Sequence, residues 1–193
     1  MSRPAAVVVT VPGLRGHVED HWQTRLATRL PHVRPVTPLG RDNPSLADRV
    51  AALRHAVGQP GGPVIIVAHS AGVLTTVHWA ARYPTPILGA LLVTPPDLGA
   101  PLPPEYPSLD VLAEHGWWPI PLRRLPFPSI VAASSNDTLS DSARVRAFAG
   151  AWGSRLHDLG PVGHLNPASG YGEWPEAESL IAELLPVKAT PRP

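Results

Sequence analysis

The stretch Val64-Ile65-Ile66-Val67-Ala68-His69-Ser70-Ala71-Gly72 constrains this chain more than any other. Its first half is a β-branched run of the kind that forms a strand buried on both faces. From Val73 the pattern turns helical, with Val73, Leu74, Val77, Ala80 and Ala81 on one face. A strand that breaks at a serine and resumes as a helix predicts a nucleophile elbow, here A-x-S-x-G where the usual pattern begins with Gly. The turn brings the strand close to the helix start, so the positions two before and two after the serine must be small. Ala68 and Gly72 meet that demand. The same geometry exposes the Ser70 hydroxyl at a helix N-terminus, where backbone dipoles favour negative charge.

Strand and helix signals alternate on either side of this centre. Ala5 to Val11 reads as the first strand, ended by Pro12-Gly13. Asp20 with Gln23 three residues on suggests a capping-box start for a helix over about 21–30. A short strand over 33–37 and a polar loop over 40–44 follow. Ser45 then caps a helix with Leu46, Val50, Leu53 and Val57 inward. Past the elbow, strands are expected over 87–94, 129–134 and 155–159, with Val145, Phe148 and Trp152 on the inner face of a helix before the last. A final helix starts at Pro175, turns Leu180, Ile181, Leu184 and Leu185 inward and stops at Pro186. Such alternation implies an α/β fold, a three-layer α/β/α sandwich with about six mostly parallel strands.

The length of 193 residues suits one domain with a sizeable core, and 187–193 reads as a frayed tail. The exception to the alternation is 95–128, rich in proline, with a short helix around 109–115 and the pair Trp117-Trp118. Long irregular segments in compact domains tend to be functional, so a pocket wall or lid is expected, with a plain surface excursion as the alternative.

Composition removes several classes of function. A formal charge of +1 with basic and acidic residues evenly scattered leaves no stripe for nucleic acid. The absence of cysteine excludes disulfides, thiol catalysis and thiolate metal sites. No apolar run approaches the roughly 20 residues of a membrane helix, and the run from Ala5 to Val11 is too short for a signal segment. A cytoplasmic protein is expected.

Ligands in such sheets gather outside the carboxyl ends of the strands, and that rule filters the candidate residues. Ser70 follows the elbow strand, Asp137 follows 129–134, and His164 follows 155–159. The chain order Ser, Asp, His is that of an α/β-hydrolase. Competing residues fit less well. His157 lies within a strand, His78 within the elbow helix, and Asp141 suits a helix cap. His69 sits in the elbow beside the serine, to pack or bond locally. In the expected chemistry His164 takes the proton of Ser70, and Asp137 holds the imidazole in the required tautomer. Oxyanion donors are expected from the backbone N–H groups of Ala71 and, after the first strand, Leu14. Gly13, His69, Trp117 and Trp118 are candidate substrate contacts.

Several segments, taken together, carry a resemblance. They are Val11-Pro12-Gly13, Asp20-His21-Trp22, His69-Ser70-Ala71-Gly72, Leu125-Pro126-Phe127-Pro128, Ala133-Ser134-Ser135-Asn136-Asp137, Ala151-Trp152-Gly153 and Gly163-His164-Leu165-Asn166, with Ser169-Gly170-Tyr171-Gly172 and Trp174-Pro175. In these the chain resembles the small serine hydrolases of the retinoblastoma-binding protein nine and YdeN type. The resemblance implies a compact α/β-hydrolase whose Ser-Asp-His triad matches Ser70, Asp137 and His164. It also implies esterase-like activity on small acyl substrates without a cofactor. Retinoblastoma-type partners are not implied, because the L-x-C-x-E motif associated with them needs a cysteine.

Two other readings compete. His17-Val18-Glu19-Asp20-His21 has a zinc-like spacing, but with Asp20 as helix cap His17 falls in the preceding loop and His21 in the first turn, so no metal is expected. A non-catalytic interaction module is possible on any enzyme fold, and the intact Ser-Asp-His set argues against it. The sequence as a whole predicts a serine hydrolase forming an acyl-enzyme, acting on carboxylic esters of small acyl groups. Amides, thioesters and aminoacyl esters are alternatives open to the same triad.

Overall fold

The computed structural model describes residues 5–40 and 42–186, so the tail expected over 187–193 lies outside the described residues. The elements are β1 (Val7–Val11), α1 (Trp22–Arg29), β2 (Val33–Pro35), α2 (Leu46–Gly58), β3 (Val64–His69) and α3 (Ala71–Arg82), followed by β4 (Gly89–Val93), α4 (Leu109–Glu114), β5 (Ser129–Ala133), α5 (Ser142–Trp152), β6 (Arg155–Asp158) and α6 (Glu176–Glu183). The strands form one sheet in the order β2-β1-β3-β4-β5-β6. Every neighbouring pair is parallel.

Side-chain alternation along the strands builds two cores. Val7, Val9, Val11, Ile66, Ala68, Ala90 and Leu92 face one layer, filled by Val50 and Leu53 of α2, Val73 and Val77 of α3, and Val145 and Phe148 of α5. Val8, Ile65, Val67, Leu91 and Val93 face the other, where Trp22 and Leu26 of α1 meet Leu180 and Ile181 of α6. Residues of β3 are buried on both faces, which is why that strand has no polar alternation. The result is the three-layer α/β/α arrangement.

The segment 95–128 is anchored to the first core. Leu112, Trp117, Ile120, Leu125 and Phe127 are all buried in it. The Trp117 indole N–H donates to the Pro44 carbonyl at 2.7 Å. These residues pack the segment against the core.

Some local expectations need correction. The cap of α1 is His21, whose Nδ1 accepts the Gln23 amide at 3.2 Å. Asp20 instead pairs with Arg25 at 3.1 Å on the surface. The imidazole outcompetes the carboxylate because it is buried, where an unpaired acceptor is costly. Pro175 stands at the cap of α6 and not inside it, and Leu185 lies past the helix end, 42% exposed.

The chain leaves β1 to one side to form β2 and to the other to form β3, so a crevice opens at the carboxyl ends of β1 and β3. Gly72, in the first turn of α3, closes the back of it. A Cβ at Gly72 would lie 2.3 Å from the Val11 carbonyl oxygen and 2.8 Å from that of Pro12. Both are backbone atoms and cannot swing away. Gly72→Ala should therefore cost about 3 kcal/mol or more of folding stability, read by urea unfolding.

Candidate active site

Ser70 ends β3 in a backbone conformation that side chains rarely adopt, φ 55° and ψ −127°. Hydrogen bonds on both sides hold it there. Its N–H donates to the Val93 carbonyl at 2.9 Å, and its own carbonyl accepts from the Val73 N–H at 2.8 Å. Two other non-glycine residues have positive φ among the described residues, Thr94 at 46° and Leu165 at 45°. Thr94 follows β4 and Leu165 follows His164, so all three lie on the carboxyl rim of the sheet. Such conformations cost roughly 1–3 kcal/mol each and tend to collect at functional sites.

Asp137 and His164 come from loops that are tied together. The Asn136 side-chain oxygen accepts the Gly163 N–H at 2.6 Å. The Ser135 N–H donates to the Gly160 carbonyl at 2.9 Å. Between these ties His164 Nδ1 meets Asp137 Oδ2 at 2.8 Å, with both side chains buried. The other carboxylate oxygen accepts the Leu139 N–H at 2.9 Å, so the Asp137 carboxylate is fixed at both ends. With Nδ1–H given to Asp137, Nε2 of His164 is the proton-free nitrogen. It is buried and has no hydrogen-bond partner among the described residues.

Two more imidazoles stand in line with His164. The His69 ring centroid is 4.9 Å from that of His164 and 4.6 Å from that of His21. His69 Nε2–H donates to the His164 backbone carbonyl at 2.9 Å. The Thr94 hydroxyl approaches the same carbonyl at 3.5 Å. Burial pushes the pKa of His69 well below its ordinary value, with the neighbouring charges of His164 and His21 adding to it. His21 is pushed down to about 4, first by burial and then by His164 and His17. Since its Nδ1 accepts the Gln23 amide, the polar atom left to neutral His21 is an Nε2–H donor.

These groups border a cavity of about 140 Å³ at the β1/β3 crevice. Ser70, His164, Ala71, Gly13, Leu14, His69 and Trp117 all line it, and Asp137 stands behind His164. Leu74, Leu98, Leu102, Leu112 and Leu139 supply aliphatic parts of the remaining wall. A Cβ at Gly13 would lie 3.3 Å from Ser70 Cβ and 3.5 Å from Oγ, so the backbone after β1 reaches the serine directly. Among the described residues the N–H groups of Leu14 and Ala71 have no acceptor.

One expected contact is displaced. Trp118 does not line the cavity and is 50% exposed, because the chain turns Trp117 into the core and its neighbour outward. The competing residues have local roles. Asp141 caps α5 by accepting the Arg144 N–H at 2.7 Å. His157 pairs with Glu176 at 2.9 Å, and His78 Nε2 donates to the Trp117 carbonyl at 3.3 Å. Of the zinc-like pair, His17 Nε2 donates to the Val36 carbonyl at 2.9 Å while His21 caps α1. Among the lining residues that sequence reasoning left out of the site are His21, Arg15 and Tyr106. His21 follows the first strand on the same rim, so the strand-end filter applied to the other histidines would have reached it.

Folding stability should carry the mark of His21. Its pKa is about 4 when folded against 6.5 as the ordinary value, so between those pH values the unfolded chain binds a proton that the folded chain does not. Stability from this residue is complete above pH 6.5, falls as pH drops towards 4, and totals about 3 kcal/mol. His21→Asn keeps a capping side chain and should flatten the decline measured by urea unfolding at pH 7 and pH 4.5.

Comparison with known proteins agrees with the fold. No curated protein matches the chain in sequence. Among solved structures, a YdeN-like hydrolase of Pectobacterium atrosepticum is 28% identical with a TM-score of 0.79, over 94% of this chain and 93% of that one. The ydeN gene product of Bacillus subtilis is 18% identical with a TM-score of 0.75, over 93% and 98%. The esterase domain of a Rhodothermus marinus protein shares the fold at 17% identity and a TM-score of 0.66, over 94% and 87%. Among the described residues no helix is long and apolar enough to cross a membrane. A family model described as serine hydrolase matches residues 8–183. The chain belongs to that serine hydrolase family, as a YdeN-like member with the α/β-hydrolase fold.

Proposed function

We propose that this hydrolase is a carboxylesterase for small acyl esters and works through an acyl-enzyme. Ser70 is the nucleophile, His164 the general base and Asp137 the residue that orients it. One observation carries the reading: Nε2 of His164, buried and free of any hydrogen-bond partner among the described residues, borders the same cavity as Ser70. A serine hydroxyl attacks only when a base removes its proton, and this nitrogen is the acceptor available.

Attack by Oγ on the ester carbonyl forms the C–O bond as the proton passes to Nε2. The negative oxygen of the tetrahedral intermediate is held by the N–H groups of Leu14 and Ala71, which have no other acceptor among the described residues. Asp137 stabilises the imidazolium formed at that moment. His164 then gives the proton to the departing alkoxide, leaving the acyl group on Ser70. A water molecule reverses the sequence, with His164 again as base, and releases the acid.

The apolar wall of the cavity and its modest volume favour a small acyl group over a polymer. Amide, thioester and aminoacyl substrates would use the same triad, and relative rates on such compounds separate them from esters. A non-catalytic interaction module would have no need of a buried imidazole paired with a fixed carboxylate.

A fluorophosphonate probe should label Ser70, located by mass spectrometry. Ser70→Ala should lower turnover of p-nitrophenyl esters by ~10⁶, and Asp137→Asn by ~10⁴ through loss of the tautomer. Full activity in Asp137→Asn combined with loss in Asp141→Asn would reassign the carboxylate.

A further inference from the structure

Arg15 is the one residue with a fixed charge among the described residues lining the cavity. The rest of the described lining is aliphatic, aromatic, small, amide or imidazole, and neither His21 nor His69 is positively charged at neutral pH. Several other arginines have carboxylate partners: Arg25 with Asp20 and Glu173, Arg29 with Glu173 and Glu178, Arg155 with Glu183. Arg54, Arg123, Arg124 and Arg146 are exposed and in no ion pair among the described residues, but none of them lines this cavity. Among the described residues no carboxylate lies within ion-pair distance of Arg15. Its guanidinium instead lies 5.7 Å from the centroid of the Tyr106 ring, which steadies it from the 95–128 wall without neutralising it.

Position matters as much as charge. Arg15 is two residues past Gly13, whose backbone touches Ser70, so the two Cα atoms are at most about 7.6 Å apart. The guanidinium can therefore meet a group only a few carbon atoms from the ester carbonyl. A substrate with an apolar body and a negative end would place the body against Leu74, Leu112 and Trp117. Its anion would meet the planar fork of Arg15, which suits carboxylate or phosphate oxygens. An ammonium group would find no counter-charge in the lining.

We propose that the preferred substrates are anionic esters, with a carboxylate or similar anion on a short apolar chain, selected by Arg15. This rests on the esterase reading above and goes further by naming the charge of the substrate.

The test uses two pairs of esters with the full chain. In the first, p-nitrophenyl hexanoate is compared with mono-p-nitrophenyl adipate, which carries a carboxylate at the end of the acyl chain. In the second, methyl 4-(hexanoyloxy)benzoate is compared with 4-(hexanoyloxy)benzoate, which carries it on the leaving group. The readout is the ratio of kcat/KM for the anionic over the neutral member, in wild type, Arg15→Gln and Arg15→Glu. Comparing enzymes cancels the intrinsic reactivity of each ester. In at least one pair, Arg15→Gln should lower the ratio by ~5–10-fold and Arg15→Glu by more, and which pair responds tells the side of the bond that carries the anion. In wild type, raising salt from 0.05 to 0.5 M should lower the same ratio, a readout that needs no variant. Turnover of the neutral esters with ratios indifferent to Arg15 and to salt in both pairs overturns the proposal and leaves the esterase reading standing. Absence of turnover for all four esters, with no fluorophosphonate labelling of Ser70, overturns both.

Discussion

The structure depends on how closely the first turn of α3 can approach the end of β1. With hydrogen as its side chain, Gly72 lets the helix sit against the Val11 and Pro12 carbonyls at distances that no Cβ could occupy. That approach leaves Ser70 in a strained turn, its hydroxyl facing the crevice beside Gly13 and Leu14. Hydrogen bonds from Ser70 to Val93 and from Val73 to Ser70 hold the turn against its strain. The parallel sheet matters to function mainly as the rigid backing for this one contact.

Electrostatics at the site are arranged by exclusion. Asp137 is the carboxylate at His164, and its second oxygen is occupied by the Leu139 N–H. The imidazoles of His69 and His21 are kept neutral by burial, so neither adds a positive charge beside His164 at neutral pH. They contribute directed N–H groups instead. Arg15 stands outside this row, at the solvent-exposed edge of the cavity, as the one fixed charge among its described residues.

Much of the architecture was legible because strands buried on both faces advertise themselves as β-branched runs, and because strand ends in parallel sheets share one rim. The positions of Ser70, Asp137 and His164 on that rim followed from this. Finer choices did not follow. Asp20 is the better capping residue by propensity, yet His21 takes the role because its ring is buried between Trp22 and His69. Trp117 and Trp118 are equivalent in sequence, and only the packing of the 95–128 wall decides which one turns inward. Arg15 reads as an ordinary loop cation until Tyr106, distant along the chain, is brought beneath it.

The bond from His69 to the His164 carbonyl has a mechanical consequence. His69 is covalently next to Ser70, so the bond links the segments that carry Ser70 and His164 through a path of very few atoms. A displacement of the β3 tip therefore pulls on the His164 backbone through this one hydrogen bond. The tie thus acts as a strut across the sheet edge, coupling the position of Ser70 to that of His164.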